Sequence, residues 1–216
     1  MRRCWRRWTI WKGKAMSVSS CCQGRGRAFS AGADLKFMGG LSGAALRRFI
    51  EASHAPAVRL EQSGLISIAA LEGHVLGGGA ELALACDMRI AGPGLNFGFP
   101  EMVLGSLPGS GGMQRLPALV GRARALEMVT LGRRVGAEEA RALGLVLETA
   151  ADPVARALAL AAAIAERPAE SLRYAKVALR LADDPVAAGA FHGLVSALRQ
   201  ADPDYRQNRR RITRED

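Results

Sequence analysis

Three consecutive glycines at residues 77–79 interrupt an apolar stretch and constrain the local fold more than any other feature. The run before them, "LISIAAL" at residues 65–71, is apolar and contains β-branched residues, which predicts a buried strand. The run after them, "ELALACD" at residues 81–87, predicts a helix. A glycine-rich turn before a helix leaves unpaired N–H groups at the positive end of the helix dipole. Such a turn binds a phosphate, stabilises an oxyanion, or serves only as a tight turn.

The remaining pattern predicts an α/β protein. Residues 44–60 have apolar positions at helical spacing, interrupted at Pro56, and "MRIAG" at 88–92 predicts a short strand. A loop dense in glycine and proline follows, with helical stretches near Glu101 and after Gly112. Further helices are predicted at 122–131, 137–143, 152–166 and 170–181. Strands that alternate with helices up to Val146, and then helices only, indicate an α/β core with a helical C-terminal appendage.

The net charge of +10 is concentrated at the start of the chain. Eight basic and no acidic residues precede Asp34, which leaves 22 basic and 20 acidic residues for the rest. This near balance argues against a nucleic-acid-binding protein. The four cysteines have no C-x-x-C spacing, so neither a metal site nor a disulfide framework is expected. No apolar run reaches the roughly 20 residues of a membrane span, which predicts a soluble protein with no membrane partner.

The head of the chain, residues 1–23, is basic and lacks a helical or alternating apolar rhythm. We expect it to be disordered or a mis-started segment, and a transit peptide is the alternative, because the segment is arginine-rich and free of acids. The corresponding compartments are the cytoplasm and, for a transit peptide, the mitochondrial matrix.

Two carboxylates follow small-residue loops. Glu81 comes just after the glycine triplet, and Glu101 follows Pro100. Each alone is typical of an ordinary acid in the first turn of a helix. The motifs of phosphate-binding loops, dinucleotide-binding turns and serine-hydrolase elbows are absent, which favours an oxyanion site over a phosphate site.

Four segments taken together resemble the enoyl-CoA hydratase/isomerase (crotonase) family: "GRAFSAGADL", "GHVLGGGAELALACDMRIA", "FGFPEMVLGSLPGSGGMQRL" and "GLV" at 144–146. The resemblance implies a crotonase-like ββα-spiral core. We assign residues 24–150 to an acyl-CoA-binding catalytic core and 151–216 to a helical C-terminal region. The family's usual N-terminal unit and C-terminal end are not recognisable, so we expect both to be missing here.

The resemblance also implies functional residues. The oxyanion hole consists of the backbone N–H groups of Ala33 and Gly78. Glu81 activates water, and Glu101 transfers a proton at Cα. The implied substrate-binding residues surround these: Ala31, Gly32, Ala33, Asp34, Leu35, Lys36, Gly78, Pro108 and Gly109. Arg115 is expected to serve structure, and His74 to be an ordinary packed or solvated histidine.

The implied function is hydration of a 2-enoyl-CoA to a 3-hydroxyacyl-CoA. It requires no metal and no cofactor, since CoA is part of the substrate. The alternatives are an isomerase or another acyl-CoA reaction on the same scaffold, and a non-catalytic acyl-CoA-binding subunit. A homotrimer or hexamer is implied by the resemblance alone.

Overall fold

The computed structural model describes residues 19–23 and 28–212. The chain forms two compact units, which divide between Arg167 and Pro168. The first unit contains two four-stranded sheets. The domain boundary predicted at 150/151 stays a prediction.

Successive strands of the first unit alternate between the two sheets for three rounds. One sheet has the order β1 (Ser19–Gln23), β3 (Ile66–Leu71), β5 (Met88–Ala91) and β8 (Glu148–Thr149), all parallel. The other has the order β2 (Ala28–Ser30), β4 (His74–Leu76), β6 (Asn96–Gly98) and β7 (Arg134–Val135), in which only the last pair is antiparallel. This alternation of sheets, with helices between the rounds, is the predicted ββα spiral.

The helices of the first unit are α1 (Leu35–Gly39), α2 (Gly43–Gln62), α3 (Gly78–Ala85), α4 (Gly112–Val120), α5 (Arg122–Thr130), α6 (Ala137–Ala142) and α7 (Pro153–Ala165), with a 3₁₀ turn at Glu101–Leu104. The second unit contains α8 (Ala169–Arg180), α9 (Pro185–Ala201) and α10 (Pro203–Ile212). Asp-Pro pairs begin both α7 and α9, where Asp152 and Asp184 accept hydrogen bonds from first-turn amides.

The core explains why two sequence segments are apolar without alternation. All six residues of β3 are buried, as expected for a parallel strand covered on both faces. Helix α3 is buried from Gly79 to Ala85. A side chain at Gly79 has no room, because its Cβ would lie 2.4 Å from the Ser30 carbonyl oxygen. The glycine therefore lets α3 rest directly on β2.

The buried end of α3 is closed by an arginine. The Arg89 guanidinium donates to the carbonyl oxygens of Ala83, Cys86 and Leu145, with 2.6 Å to each of the last two. Helix C-terminal carbonyls lack internal donors, and a cation there is also favoured by the helix dipole. Burial lowers the pKa of Arg89 from its ordinary value, and these three contacts compensate for the lost hydration.

Two sequence expectations differ from the structure. Residues 19–23, assigned to the atypical head, form β1 and pair in parallel with β3, while residues 1–18 lie outside the described residues. Pro56 does not interrupt α2, which runs through it. The helix continues because Ala57 and Leu60 pack against Leu82 and Ala85 of α3, and this packing outweighs the hydrogen bond that proline removes.

The second unit is helical, as predicted. Tyr174 of α8 and Phe191 of α9 pack edge-on with ring centroids 6.2 Å apart. Helices α9 and α10 are connected through Asp202, which accepts from Arg199 and from the Tyr205 amide. In the two described stretches, 19–23 and 28–212, every helix is too short or too polar to span a bilayer.

Candidate active site

A pocket of about 300 Å³ opens in the first unit between the segment after β2, helix α2, the glycine turn and the loop at 100–110. Eight of the predicted residues line it: Ala31, Gly32, Ala33, Leu35, Gly78, Glu81, Glu101 and Gly109. The sequence segments that are distant along the chain therefore meet at one cavity.

Two glycines with left-handed backbones let the walls of this pocket approach each other. Gly32 has φ +90° and Gly77 has φ +52°, both strained for other residues. A Cβ at Gly32 would lie 2.9 Å from the Leu76 carbonyl oxygen and 3.2 Å from the Gly78 nitrogen. The Gly32–Ala33 segment thus packs against the first turn of α3. The Gly78 amide lies at the first position of that helix, where no internal acceptor exists.

Glu81 is a buried carboxylate held by two backbone amides. The residue is 2% exposed, and its Oε1 accepts from the Ser110 amide at 2.6 Å and from the Gly112 amide at 2.9 Å. Gly112 makes this contact possible, because a Cβ there would lie 3.1 Å from Glu81 Oε1. Two charge-assisted hydrogen bonds from the backbone fix the position of this carboxylate. The site therefore offers a fixed, partnered base at the pocket wall.

Glu101 has a contrasting environment. Its carboxylate lies against Gly77, where an added Cβ would be 2.8 Å from Oε1. Its Oε2 is buried and has no hydrogen-bond partner among the described residues. Burial raises the pKa of Glu101 above its ordinary value, the nearby Glu81 raises it further, and its own backbone amide and Arg134 oppose the shift. Burial therefore favours the protonated form of the Glu101 carboxyl.

The raised pKa of Glu101 predicts a pH-dependent effect of Glu101→Gln on stability. At pH values above 4.5, the ordinary pKa of a glutamate, the folded protein binds more protons at this carboxyl than the unfolded chain does. The contribution of the Glu101 carboxyl to stability therefore falls as pH rises. Glutamine has no proton to lose. We expect the melting temperature of Glu101→Gln, relative to the unchanged protein, to increase between about pH 5 and about pH 8.

Thermal unfolding at both pH values measures this difference. Glu138→Gln is a matched control, because Glu138 is exposed in the first turn of α6. The control should show no such increase. A relative melting temperature for Glu101→Gln that is constant or falls with pH would contradict the assigned environment.

Three predicted substrate-binding residues do not line the pocket. Asp34 is exposed and caps α1, where its side chain accepts from the Lys36 amide at 3.0 Å and the Phe37 amide at 3.1 Å. Lys36 is exposed, and Pro108 is buried outside the pocket lining. Their substrate contacts stay predictions, while capping already explains why an aspartate occupies position 34.

Helix α2 supplies part of the pocket that the sequence did not indicate. Phe49, Ile50 and Ser53 face the cavity, joined by Met38, Leu104 and Leu107. The Ser53 hydroxyl donates to the Ile50 carbonyl oxygen and lies 3.0 Å from the Ser110 hydroxyl. Only the helical spacing of Phe49 and Ser53, four residues apart, was visible in the sequence, and it indicates a shared face without saying what that face contacts.

His74 lies outside this cavity. It is exposed, and its Nδ1 lies 3.2 Å from the Asn96 side-chain amide. Within residues 19–23 and 28–212, no group of three or more histidine, cysteine or acidic side chains is arranged to hold a metal ion.

Comparisons with known proteins agree with the geometry. A family model described as enoyl-CoA hydratase/isomerase matches residues 21–195. The enoyl-CoA hydratase/isomerase-type protein YngF of Bacillus subtilis is 44% identical over 155 residues, which are 71% of this chain and 60% of that protein. The enoyl-CoA isomerase/hydratase fer4 of Mycosarcoma maydis is 38% identical over 174 residues, which are 80% of this chain and 62% of that protein.

A solved structure gives the same result. The crystal structure of enoyl-CoA hydratase from Bacillus anthracis has a TM-score of 0.87 and 32% identity, and the match covers 94% of this chain and 80% of that one. The chain thus spans about 60% of the length of YngF and of fer4. The family match over most of the chain shows that it belongs to the enoyl-CoA hydratase/isomerase family, also called the crotonase family.

Proposed function

We propose that this protein adds water to a 2-enoyl-CoA to give a 3-hydroxyacyl-CoA. The observation that carries the proposal is the pair Glu81 and Glu101 in one pocket. The Glu81 carboxylate is held by two amides, and the Glu101 carboxyl is half-buried with a raised pKa. A hydration needs a base for the water and an acid for Cα, so it uses two carboxyls in different protonation states.

The thioester carbonyl binds where the Gly32–Ala33 segment meets the start of α3. In this proposal the Ala33 and Gly78 amides donate to the thioester oxygen. Their hydrogen bonds strengthen as negative charge develops on that oxygen, and the positive end of α3 adds to the stabilisation. Donors of this kind need no reorganisation during the reaction, because the backbone already fixes them.

Water then adds to Cβ of the polarised double bond. Glu81 accepts a proton from the water while the water oxygen bonds to Cβ. The electron pair of the double bond moves toward the thioester oxygen. Glu101 delivers its proton to Cα of the resulting enolate, and the electron pair returns to form the new C–H bond. Both carboxyls line the same cavity, which favours addition of the two groups to one face, a syn addition. Proton exchange with solvent restores the starting charges.

Isomerisation of an enoyl-CoA double bond is the second candidate. It is favoured by Glu101 Oε2, which is buried without a hydrogen-bond partner among the described residues and so is available to remove and return one proton. Such a reaction needs only one carboxyl together with the oxyanion hole. It gives no role to the amide-held Glu81, and this leaves hydration as the better account.

The test is turnover of crotonyl-CoA by the purified full chain. Hydration removes the conjugated thioester, so its ultraviolet absorbance should fall. A 3-enoyl-CoA in the same assay reports isomerisation, because absorbance then rises as conjugation forms. Turnover of the 3-enoyl-CoA alone would replace the proposal with isomerisation. Bound CoA without turnover of either substrate would indicate an acyl-CoA-binding subunit.

The same proposal includes the partners and compartment. CoA enters only as part of the substrate, and no further cofactor takes part. A homotrimer or hexamer is the proposed assembly, which a size measurement in solution tests. Cytoplasm is the proposed compartment, and the mitochondrial matrix is the alternative, supported by relatives whose names include "mitochondrial".

A further inference from the structure

We propose that Arg115 is a positioning residue for Glu81, acting through the backbone at residues 110–112. This inference rests on the proposed hydration. The sequence predicts only a structural role for Arg115, and Arg115 does not line the pocket. Its contacts instead end on the short segment that holds the Glu81 carboxylate.

Arg115 makes three short contacts in a nearly buried position. Its Nε and Nη2 donate to the two carboxylate oxygens of Glu61 at 2.5 and 2.7 Å, and its Nη1 donates to the Ser110 carbonyl oxygen at 2.8 Å. The side chain is 12% exposed. A two-pronged pairing with a carboxylate fixes the plane of a guanidinium, so its remaining nitrogen has a defined direction. Glu61 of α2 therefore orients Arg115, and Arg115 anchors Ser110.

The anchored carbonyl lies between the two amides that hold Glu81. The Ser110 carbonyl belongs to the peptide joining Ser110 to Gly111, and the Ser110 and Gly112 amides on either side donate to Glu81 Oε1. Gly111 has φ +97°, and a Cβ there would lie 1.9 Å from Arg115 Nη1. The guanidinium thus packs directly on the turn. Movement of this peptide would displace both amides, and the carboxylate with them.

The effect is one of geometry, because the charge of Arg115 is already balanced by Glu61. Lysine would keep the charge, but it lacks the planar fork that contacts both Glu61 oxygens and Ser110 together. We therefore expect Arg115→Lys and Arg115→Met both to impair turnover. A displacement of about 1 Å at a catalytic group costs up to about 100-fold in rate, so the expected decrease in kcat is about 10- to 100-fold.

The first test compares kcat, KM and thermal stability in crotonyl-CoA hydration. Arg115→Met should lower kcat with KM changed less than about threefold, because no substrate-lining group is removed. Arg156→Met is the matched control. It removes an arginine whose Nε lies 2.9 Å from Glu148, outside the pocket lining, and it should leave kcat unchanged. A loss of melting temperature with unchanged kcat per folded molecule would show a purely structural Arg115 and overturn the proposal.

The second test is a double-mutant cycle with Glu81→Gln. If Arg115 acts through Glu81, Arg115→Met should reduce residual activity less than about threefold once Glu81 is replaced. Equal losses in both backgrounds would overturn the proposal while leaving hydration intact. An unchanged protein that does not hydrate crotonyl-CoA would overturn both. Should Arg115→Met not fold, Arg115→Lys gives the same comparison with the cation retained.

Discussion

Glu81→Gln should lower kcat for crotonyl-CoA hydration by about 10²- to 10⁴-fold, the range for loss of a general base. In the unchanged protein, the Ser110 and Gly112 amides lie 2.6 and 2.9 Å from Glu81 Oε1. Glutamine keeps the shape of the side chain and an oxygen that accepts from these two amides. What it lacks is the ability to take a proton from water. Steady-state kinetics over a range of crotonyl-CoA concentrations measures the change.

The control for this substitution is Glu51→Gln. Glu51 is exposed on α2, where it pairs with Arg47 at 2.8 Å, and exposed pairs of this kind contribute little. The control should retain full activity, and both variants should bind crotonyl-CoA with nearly unchanged KM. An unchanged kcat in Glu81→Gln would contradict the proposal that Glu81 activates the water.

Gly78→Val should lower kcat/KM by about 10²- to 10³-fold, the range for loss of one oxyanion donor. The closest atom to an added Cβ at Gly78 is Gly32 Cα at 4.0 Å, an ordinary contact, so the first carbon fits. Gly78 lines the pocket, so we expect the two further methyl groups of valine to lie beside its amide and to obstruct the approach of the thioester oxygen.

Gly78→Ala separates obstruction from misfolding. Alanine adds only the carbon for which space exists, so we expect a smaller loss of kcat/KM than with valine and a melting temperature close to that of the unchanged protein. Equal, full activity in both variants would contradict an approach of the thioester to this amide. If only the valine variant unfolds, the kinetics of Gly78→Ala are compared with those of the unchanged protein.

The sequence predicted the central part of the fold because its signals are local. The strand at Ile66–Leu71 and the helix after the glycines follow from an apolar run and a turn of permissive residues. The strands at His74–Leu76 and Asn96–Gly98 have three residues each, too few for a period to be visible, so the sequence pattern predicts neither of them. They exist because each pairs with a neighbouring strand, a non-local interaction.

The residues of the candidate site also fall into those that the sequence identifies and those that only the fold brings together. Glu81, Glu101, Gly78 and Ala33 were identifiable from motifs and resemblance, and they line one pocket. Their supports were not identifiable, because the contact between Arg115 and Glu61 joins residues 54 positions apart. The strand Ser19–Gln23 was missed for a related reason, since its polar and cysteine composition has no strand pattern and pairing with β3 alone reveals it.

In the proposed hydration, two backbone amides polarise an acyl thioester beside a carboxylate pair. Its most direct test is the infrared spectrum of crotonyl-CoA, labelled with ¹³C at the thioester carbonyl and bound to the slow Glu81→Gln variant. Polarisation by the two amides predicts a carbonyl stretch at lower wavenumber than in solution, with most of that shift lost when Gly78→Val is added. A carbonyl stretch in the bound complex equal to that of free crotonyl-CoA would contradict it.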